Sequence, residues 1–266
     1  MDYRNQRGGT TASDLEAWLH TEAGLPVRQW LERACAEQLI DVFGFHALQL
    51  GLPSLNLLQG NRMPDHWTVH DAPCPEPSPR PAVVADFHAL PFEDASLDLV
   101  LMPHTLELGV DAHGVLREAG RVLRPEGQVM VLGFNPNSWW GWSRRLHRSL
   151  PGAQPRAHEH SDWVGPRRLR DWLRLLGFEV DTVHLACFGP PLDSARWRPH
   201  WQWLERTGDR WWPALGAVYA VRAVKRVPAT RWVGLAPSRR GATRVPAVGL
   251  SARQHRQLRA GGPHGQ

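Results

Sequence analysis

The chain has 266 residues and a formal net charge of +5 at pH 7, a length that suits one α/β domain with short additions. No apolar stretch approaches the roughly 20 residues needed to cross a bilayer, and the polar N-terminus lacks the apolar core of a signal peptide. We therefore expect a cytoplasmic protein.

Cys35, Cys74 and Cys187 are odd in number and widely spaced, which argues against a disulfide framework or a thiolate zinc site.

Positive charge is concentrated at the C-terminus. Residues 229–266 contain seven arginines and no acidic residue, which leaves a charge of −2 for residues 1–228. A mixture of Gly, Pro, Ala and Arg is typical of a disordered tail. Such a tail can contact nucleic acid or another anionic surface without specificity. We predict a disordered, Arg-rich tail over 229–266.

Two helices are predicted ahead of the first strand. Ser13 followed by Glu16 is a capping box, so the first helix should begin at Ser13. The second has Pro26 in its first turn and apolar residues at helical spacing until Gly44. We assign 1–45 to an N-terminal helical extension.

Two short strands should follow, over 46–51 and 66–71. The first ends at a glycine, and the second alternates apolar and polar residues. Residues 72–81 contain five prolines, which excludes both a helix and a central strand. This segment is predicted to be a surface linker.

The middle of the chain alternates strands and helices. Strands are predicted over 82–86, 97–102 and 128–133, with a helix over 112–123 between the last two. A strand-helix-strand unit of this length implies parallel pairing with a right-handed crossover.

Three further elements complete the predicted fold. A helix should open at Pro166 and end at Gly177, followed by a strand over 178–186 and a last strand over 214–227.

Four ordered motifs resemble a known family. They are Asp86, Leu90-Pro-Phe, Asp94-Ala-Ser-Leu-Asp98 and Glu118-Ala-Gly-Arg-Val-Leu-Arg-Pro-Glu-Gly127. The class I S-adenosylmethionine-dependent methyltransferases of type 11 carry similar motifs in the same order. The resemblance is continuous over about residues 82–133 and weaker from 46 to 186.

This resemblance implies a fold, a cofactor and a reaction. The fold is α/β, with a Rossmann-like, seven-stranded, mostly parallel sheet and helices on both faces, and 46–228 would form the methyltransferase-like domain. The cofactor would be S-adenosylmethionine, bound where strand order reverses at the carboxyl ends of the strands. The reaction would be methyl transfer to a small-molecule or lipid-like acceptor.

The resemblance also implies cofactor-binding residues. A glycine after the first strand lets the backbone approach the ligand, which indicates Leu50 and Gly51. An acid after the second strand can accept from both ribose hydroxyls, and Asp71 is the candidate. Asp86 would accept from the adenine amino group, or else cap the following turn. Three more residues complete the predicted set: Phe87, His88 and Pro103.

On the acceptor side, His104 is the predicted catalytic residue, since an imidazole can take a proton from an acceptor near neutral pH. The alternative is an ordinary loop residue. Asn135, Trp139 and Trp140 are predicted to bind the acceptor, although the tryptophans can equally pack a lid or a partner surface. The His158-Glu-His160 cluster lacks a third ligand, so no metal site is predicted.

The first loop departs from the family pattern. Where the family has an acid and several glycines, this chain has Gln49 and a single glycine, and Pro53 removes one backbone N–H. Three functions stay open: a methyltransferase for a small-molecule or lipid-like acceptor, a degenerate fold that serves as a binding module, and an RNA methyltransferase tethered by the basic tail.

Overall fold

Seven strands form one sheet in the computed structural model, which describes residues 12–71, 82–108, 111–148, 162–189 and 213–227. In chain order the strands are β1 (His46–Leu50), β2 (Asp65–His70), β3 (Ala82–Val84), β4 (Leu97–Pro103), β5 (Leu123–Phe134), β6 (Phe178–Ala186) and β7 (Val218–Lys225). Their order across the sheet is β3-β2-β1-β4-β5-β7-β6. Only β7 runs antiparallel to its neighbours. The predicted seven-stranded, mostly parallel sheet is confirmed.

Helices cover both faces of this sheet. They are α1 (Ala12–Leu19), α2 (Leu25–Gln38), α3 (Thr105–Leu108), α4 (Ala112–Val122), α5 (Trp139–Arg148) and α6 (Pro166–Leu175). The apolar residues of α1 and α2 share a core with Leu99 and Leu132, whereas those of α4 and α6 share a second core with Val100 and Val131. Successive residues of β4 and β5 thus point to opposite cores, as the period of a strand requires.

The start of the chain differs from its prediction. The helix α1 already includes Ala12, so Ser13 lies inside it and the predicted capping box is wrong. The carboxylate of Glu16 instead accepts from the N–H (3.0 Å) and hydroxyl (2.8 Å) of Ser54. A long-range pair therefore replaces the local one, and it connects α1 to the loop after β1.

Two predicted strand bounds are also corrected. The strand β3 ends at Val84, and the segment 213–215 is a 3₁₀ turn ahead of β7. In β5, Leu123 pairs with Leu97 and Gln128 with Leu99, so residues 124–127 bulge out of the ladder. These four residues provide a bend without ending the strand.

The described residues belong to the first of two compact units, residues 1–228 and 229–266. The predicted disorder of 229–266 lies outside the described residues. Among the described helices, none is long and apolar enough to cross a membrane.

Asp98 joins the beginnings of β1 and β4. Its carboxylate accepts from the N–H groups of Phe45 (2.7 Å) and His46 (3.0 Å) and pairs with Arg124 (2.8 Å). Because β1 and β4 are the central strands, this carboxylate stabilises the pairing on which the site depends.

We expect Asp98→Ala to lower the free energy of unfolding by about 2 kcal/mol, since it removes charge-assisted hydrogen bonds from a buried carboxylate. Urea denaturation followed by circular dichroism measures this change. Asp41→Ala, at an exposed position in the same region, is the control and should change stability by less than about 0.5 kcal/mol. Equal effects of the two variants would contradict the role of Asp98.

Candidate functional site

The order of the strands reverses between β1 and β4. Both strands are parallel, so their carboxyl ends, at Leu50 and Pro103, lie at the same edge of the sheet. In open α/β sheets ligands bind in the crevice that such a reversal opens. The predicted cofactor residues lie on the loops at this edge.

Gly51 is where these loops meet. Its backbone has a φ of +86°, and its N–H donates to the carbonyl of Val69 (2.7 Å). A Cβ at Gly51 would lie 3.8 Å from the hydroxyl oxygen of Thr105, 3.9 Å from the Phe87 ring and 4.0 Å from the carbonyl of Pro103. The structure therefore brings together three predicted cofactor residues, Gly51, Phe87 and Pro103. The missing side chain leaves a space among them.

The loop after β1 is held in place by Gln49. This side chain is buried, and its amide donates to the carbonyls of Gly51 (3.1 Å), Leu52 (3.0 Å) and Leu55 (2.9 Å). A carboxylate has no proton to donate to a carbonyl. A glutamine at this position thus suits a loop that turns its carbonyls inward, and Leu52 adopts a positive φ of 48° within that turn.

Thr105 adds a second link between β1 and β4. Its hydroxyl donates to the carbonyl of Leu50 (2.5 Å), and the side chain is fully buried. Sequence reasoning missed Thr105, Gln49 and Glu16, because nothing local marks them as contacts of this loop.

The two predicted carboxylates follow neighbouring strands. Asp71 comes directly after β2 and is half-buried, and Asp86 comes two residues after β3 and is exposed. An oxygen of Asp86 accepts from the backbone N–H of His88 (2.9 Å) and lies 2.9 Å from its ring Nδ1. The Asp86 side chain therefore caps the turn after β3, whereas Phe87 in the same turn is 2% exposed and packs in the core.

His104 is fully buried, which differs from the open loop position that its prediction implied. It adopts a φ of +54°, and its N–H donates to the carbonyl of Leu132 (2.8 Å). Its ring Nδ1 lies 2.9 Å from the Glu107 carboxylate, while Nε2 has no hydrogen-bond partner among the described residues. The ring packs against Phe134 at 4.4 Å. Because a carboxylate accepts, Nδ1 carries the hydrogen and Nε2 is left with a lone pair.

Glu107 connects the loop after β4 to the end of β5. One oxygen accepts from His104, and the other accepts from the backbone N–H of Phe134. Glu107 lies in the short helix α3. The His-x-x-Glu spacing places the side chains of His104 and Glu107 within reach of each other. The contact of Glu107 with Phe134 of β5 is long-range, and sequence reasoning missed it.

The absence of a side chain at Gly133 leaves space for the Glu107 carboxylate. A Cβ at Gly133 would lie 2.7 Å from the hydroxyl of Tyr219 and 2.8 Å from a carboxylate oxygen of Glu107, closer than atoms can approach. The Tyr219 hydroxyl donates to the carbonyl of Val164 (2.8 Å). Burial raises the pKa of the Tyr219 phenol well above its usual value, and the negative charge of Glu107 raises it further.

The predicted acceptor residues separate in space. Asn135 is buried, and its amide donates to the carbonyls of Ala214 (2.8 Å) and Gly216 (2.9 Å). Trp140 is also buried, and its indole N–H donates to the carbonyl of Gly189 (2.8 Å). Trp139 is 64% exposed on the other side of α5. The two tryptophans therefore do not form one wall.

Trp140 belongs to an aromatic cluster at the end of β5. Phe134 lies at its centre and contacts Trp18, Trp140 and Trp163 at ring distances of 5.9, 6.4 and 4.8 Å. The guanidinium of Arg144 lies over Trp163 at 4.7 Å. This cluster fixes the position of Phe134, against which His104 packs.

A cavity of about 690 Å³ lies beside Asn135. Its lining includes the polar residues Asn137, Arg167 and Arg170 and the apolar residues Val183 and Leu215. Leu185 and Phe134 end their strands at the same edge of the sheet, as the pairing of both strands with β7 shows. The cavity is therefore at the carboxyl edge, next to the loop after β5.

No group of three metal-binding side chains is found in the described part of the chain. His158–His160 lies outside that part, as does Cys74. Cys35 and Cys187 are buried and form no disulfide with a described residue. Burial raises the pKa of the Cys35 thiol.

Known proteins resemble this chain in sequence. A model of a methyltransferase domain matches residues 70–131. Over 94 residues the chain is 38% identical to the malonyl-[acyl-carrier protein] O-methyltransferase of Halorhodospira halophila, a match that covers 33% of this chain and 30% of that protein. Over 216 residues it is 32% identical to the uncharacterized protein YafS of Escherichia coli (strain K12), covering 81% of this chain and 83% of YafS.

The chain belongs to the class I S-adenosylmethionine-dependent methyltransferases. A solved methyltransferase of the same cofactor class, from Archaeoglobus fulgidus, shares the fold with a TM-score of 0.51 at 17% identity, covering 74% of this chain and 94% of that one. The family resemblance seen in the sequence is confirmed.

S-adenosylmethionine is the cofactor of this methyltransferase family, and the crevice offers what its adenosine group needs. The Cζ atom of Phe87 lies 3.9 Å from the position of a Cβ at Gly51, so the ring edge adjoins this glycine. Carboxylates follow the two adjacent strands, at Asp71 and Asp86. An apolar ring and hydrogen-bond acceptors are the groups that bind a purine and a ribose.

We expect the Tyr219 phenol to stay protonated in the folded protein at a pH at which a free tyrosine ionises, about 10. The chain has two tyrosines. Phenolate absorbance near pH 11 should therefore report at most one tyrosine in the native protein and both in guanidinium chloride. Because only the unfolded phenol loses its proton, this group makes stability fall as the pH rises above about 10.

Tyr219→Phe is the matched variant for this titration. It should leave the native phenolate signal unchanged and halve the signal of the unfolded chain. Ionisation of two phenols in native wild-type protein near pH 10 would contradict the burial of Tyr219.

Proposed function

We propose that this protein transfers a methyl group from S-adenosylmethionine to a small-molecule or lipid-like acceptor. The observation that carries the proposal is the convergence of Gly51, Phe87 and Pro103 where the strand order reverses. A ligand-sized cavity at the same edge of the sheet supports it. The bound cofactor supplies an electrophilic methyl group on a sulfonium, and alignment with the acceptor provides much of the rate.

The residues have distinct proposed roles on the cofactor side. The backbone of Leu50 and Gly51 lies against the cofactor, Phe87 packs on the adenine, and Asp71 accepts from the ribose hydroxyls. Asp86 accepts from the adenine amino group, and His88 holds its carboxylate through the contact at 2.9 Å. The Pro103 carbonyl borders the same space.

His104 is the proposed general base, and Glu107 orients its ring. The contact between Nδ1 and Glu107 leaves the lone pair of Nε2 for an acceptor proton. A buried acceptor atom without a partner costs stability, which favours a role in function over one in folding. Asn135 positions the loop that borders the acceptor cavity, and Trp139, four residues further along the chain, offers an exposed ring.

A non-catalytic binding module is the second candidate, and the loop after β1 favours it. Gln49 already occupies the carbonyls of this loop, and Pro53 has no N–H to offer a ligand. Calorimetric titration with S-adenosylmethionine and S-adenosylhomocysteine separates the two candidates. Saturable heat supports the enzyme, and no heat at millimolar ligand supports the module.

Asp86→Ala should weaken the binding of S-adenosylhomocysteine about tenfold, because it removes one hydrogen bond to a charged acceptor. Isothermal titration calorimetry gives both affinities. Asp94→Ala is the matched control, since Asp94 lies on the same exposed loop and pairs with Arg121 instead. If the control loses as much affinity as Asp86→Ala, the assignment of Asp86 to the adenine fails.

The class of acceptor is tested with radiolabelled S-adenosylmethionine and a bacterial extract separated into lipids, small metabolites and RNA. We expect label in the lipid or small-metabolite fraction. Label in RNA, lost on deletion of residues 229–266, would instead support the tethered RNA methyltransferase.

With the labelled fraction as substrate, His104→Gln should lower turnover about 100-fold, the usual contribution of a general base. The affinity for S-adenosylhomocysteine, measured by calorimetry, should change less than twofold. Unchanged turnover would show that His104 is only a packed loop residue.

A further inference from the structure

The helix α6 carries four arginines and only one acidic residue, Asp171. Arg168 has a local partner, because its guanidinium stacks on the ring of Trp172 at 4.6 Å. Arg167 and Arg170 are three residues apart, which places them on one face of the helix, and both line the cavity beside Asn135. Neither forms an ion pair or a hydrogen bond with a described side chain.

Arg170 is the more unusual of the two. Its Nε–H is fully buried and has no hydrogen-bond partner in the described part of the chain. A buried donor that belongs to a charged group is expensive to leave without an acceptor. Arg170 also lines the cavity, so an anionic ligand there would offer acceptors to the terminal nitrogens of its guanidinium.

The position of Arg167 near the N-terminus of α6 adds to the positive electrostatic potential. Arg167 is the second residue of α6, directly after Pro166, and the N-cap Gly165 provides no side-chain acceptor. The backbone dipole is positive at this end, so cations here are unfavourable unless an anion compensates them. The helix dipole and the arginine side chains both favour a negatively charged group in the cavity.

Part of the cavity lining is apolar. Val183 and Leu185 of β6, with Leu215 of the 3₁₀ turn, provide it. A volume of about 690 Å³ exceeds the size of a bare phosphate or carboxylate and lies within the usual range for organic ligands. The cavity therefore suits a molecule with one anionic group and an apolar body.

The apolar wall also leads toward the catalytic end of β5. Leu185 pairs with Tyr219, and Tyr219 pairs with Gly133. Gly133 in turn lies against the Glu107 carboxylate that holds His104. A ligand that begins at Arg170 and follows this wall extends toward the loops after β4 and β5.

We propose that this cavity binds an anionic amphiphile, a carboxylate or phosphate on an apolar chain, with Arg167 and Arg170 holding the anionic group. Resting on the proposed function, this molecule is the methyl acceptor, and its anionic group is a handle remote from the methylated atom. The two arginines are specificity-determining residues.

The test is calorimetric titration of the full chain with octyl phosphate, octanoate and the neutral octanol. We expect both anions to bind at least about tenfold more tightly than octanol, since each good contact with a guanidinium contributes about 1.4 kcal/mol or more. The stronger of the two anions identifies the head group as phosphate or carboxylate. Equal binding of octanol and the anions, or no binding of any probe, would overturn the proposal.

Arg170→Gln and Arg167→Gln should each weaken anion binding about tenfold and leave octanol binding unchanged. Arg168→Gln is the matched control, on the same helix but stacked on Trp172, and should stay within twofold of wild type. Arg167 is exposed, so its variant tests the site even if Arg170→Gln folds poorly. Equal losses in all three variants would reduce the effect to general charge and refute the site.

Titration of the same proteins with S-adenosylhomocysteine separates this proposal from the proposed function. We expect its affinity to be the same in wild type and both arginine variants. Anion binding without S-adenosylhomocysteine binding would refute the methyltransferase and keep the site. The reverse result would refute the site and keep the methyltransferase.

Discussion

The buried carboxylate of Glu107 links the carboxyl ends of β4 and β5, and the acceptor side of the protein depends on this link. One oxygen holds the His104 ring, and the other accepts from the N–H of Phe134. A carboxylate can accept at both oxygens at once, so a single side chain determines how the two loops lie relative to each other. Gly133 is needed because any larger residue would occupy the space of this carboxylate.

The loop after β1 shows how a family element can change its residues and keep its position. Gln49 holds the loop from inside through three carbonyls, and Glu16 holds it from outside through Ser54. These contacts replace the flexibility of a glycine-rich loop by side-chain hydrogen bonds. Gly51 remains glycine at a position with positive φ, beside Phe87 and Pro103.

The two sides of the crevice differ in their electrostatics. Carboxylates follow β2 and β3 on the cofactor side, at Asp71 and Asp86, whereas guanidinium groups line the cavity beyond β5. The loop after β1, where the uncharged Gln49 amide donates to backbone carbonyls, lies between these carboxylates and guanidinium groups. On the proposed function, this separation suits a cofactor with hydroxyl and amino donors on one side and the proposed anionic acceptor on the other.

The sequence by itself determined the seven strands and the helices α1, α2, α4 and α6, in their order, but not α3 and α5. Apolar spacing marked the helices, short apolar runs marked the central strands, and ordered motifs around Asp86 and Glu118 indicated the family. These features are local. When one face of a helix or strand is buried, apolar residues recur along the chain with the period of that element. The capping box at Ser13 failed for the opposite reason, since its Glu16 is used by Ser54, far away in sequence.

Only the tertiary structure decided which side chains share a site. The contact of Asn135 with Gly216 spans 81 residues, and that of Thr105 with Leu50 spans 55. No spacing along the chain reveals such pairs, because they arise from the order in which the strands lie across the sheet. The same holds for burial: His104 and Trp140 resemble exposed loop residues in the sequence, and packing around Phe134 encloses both.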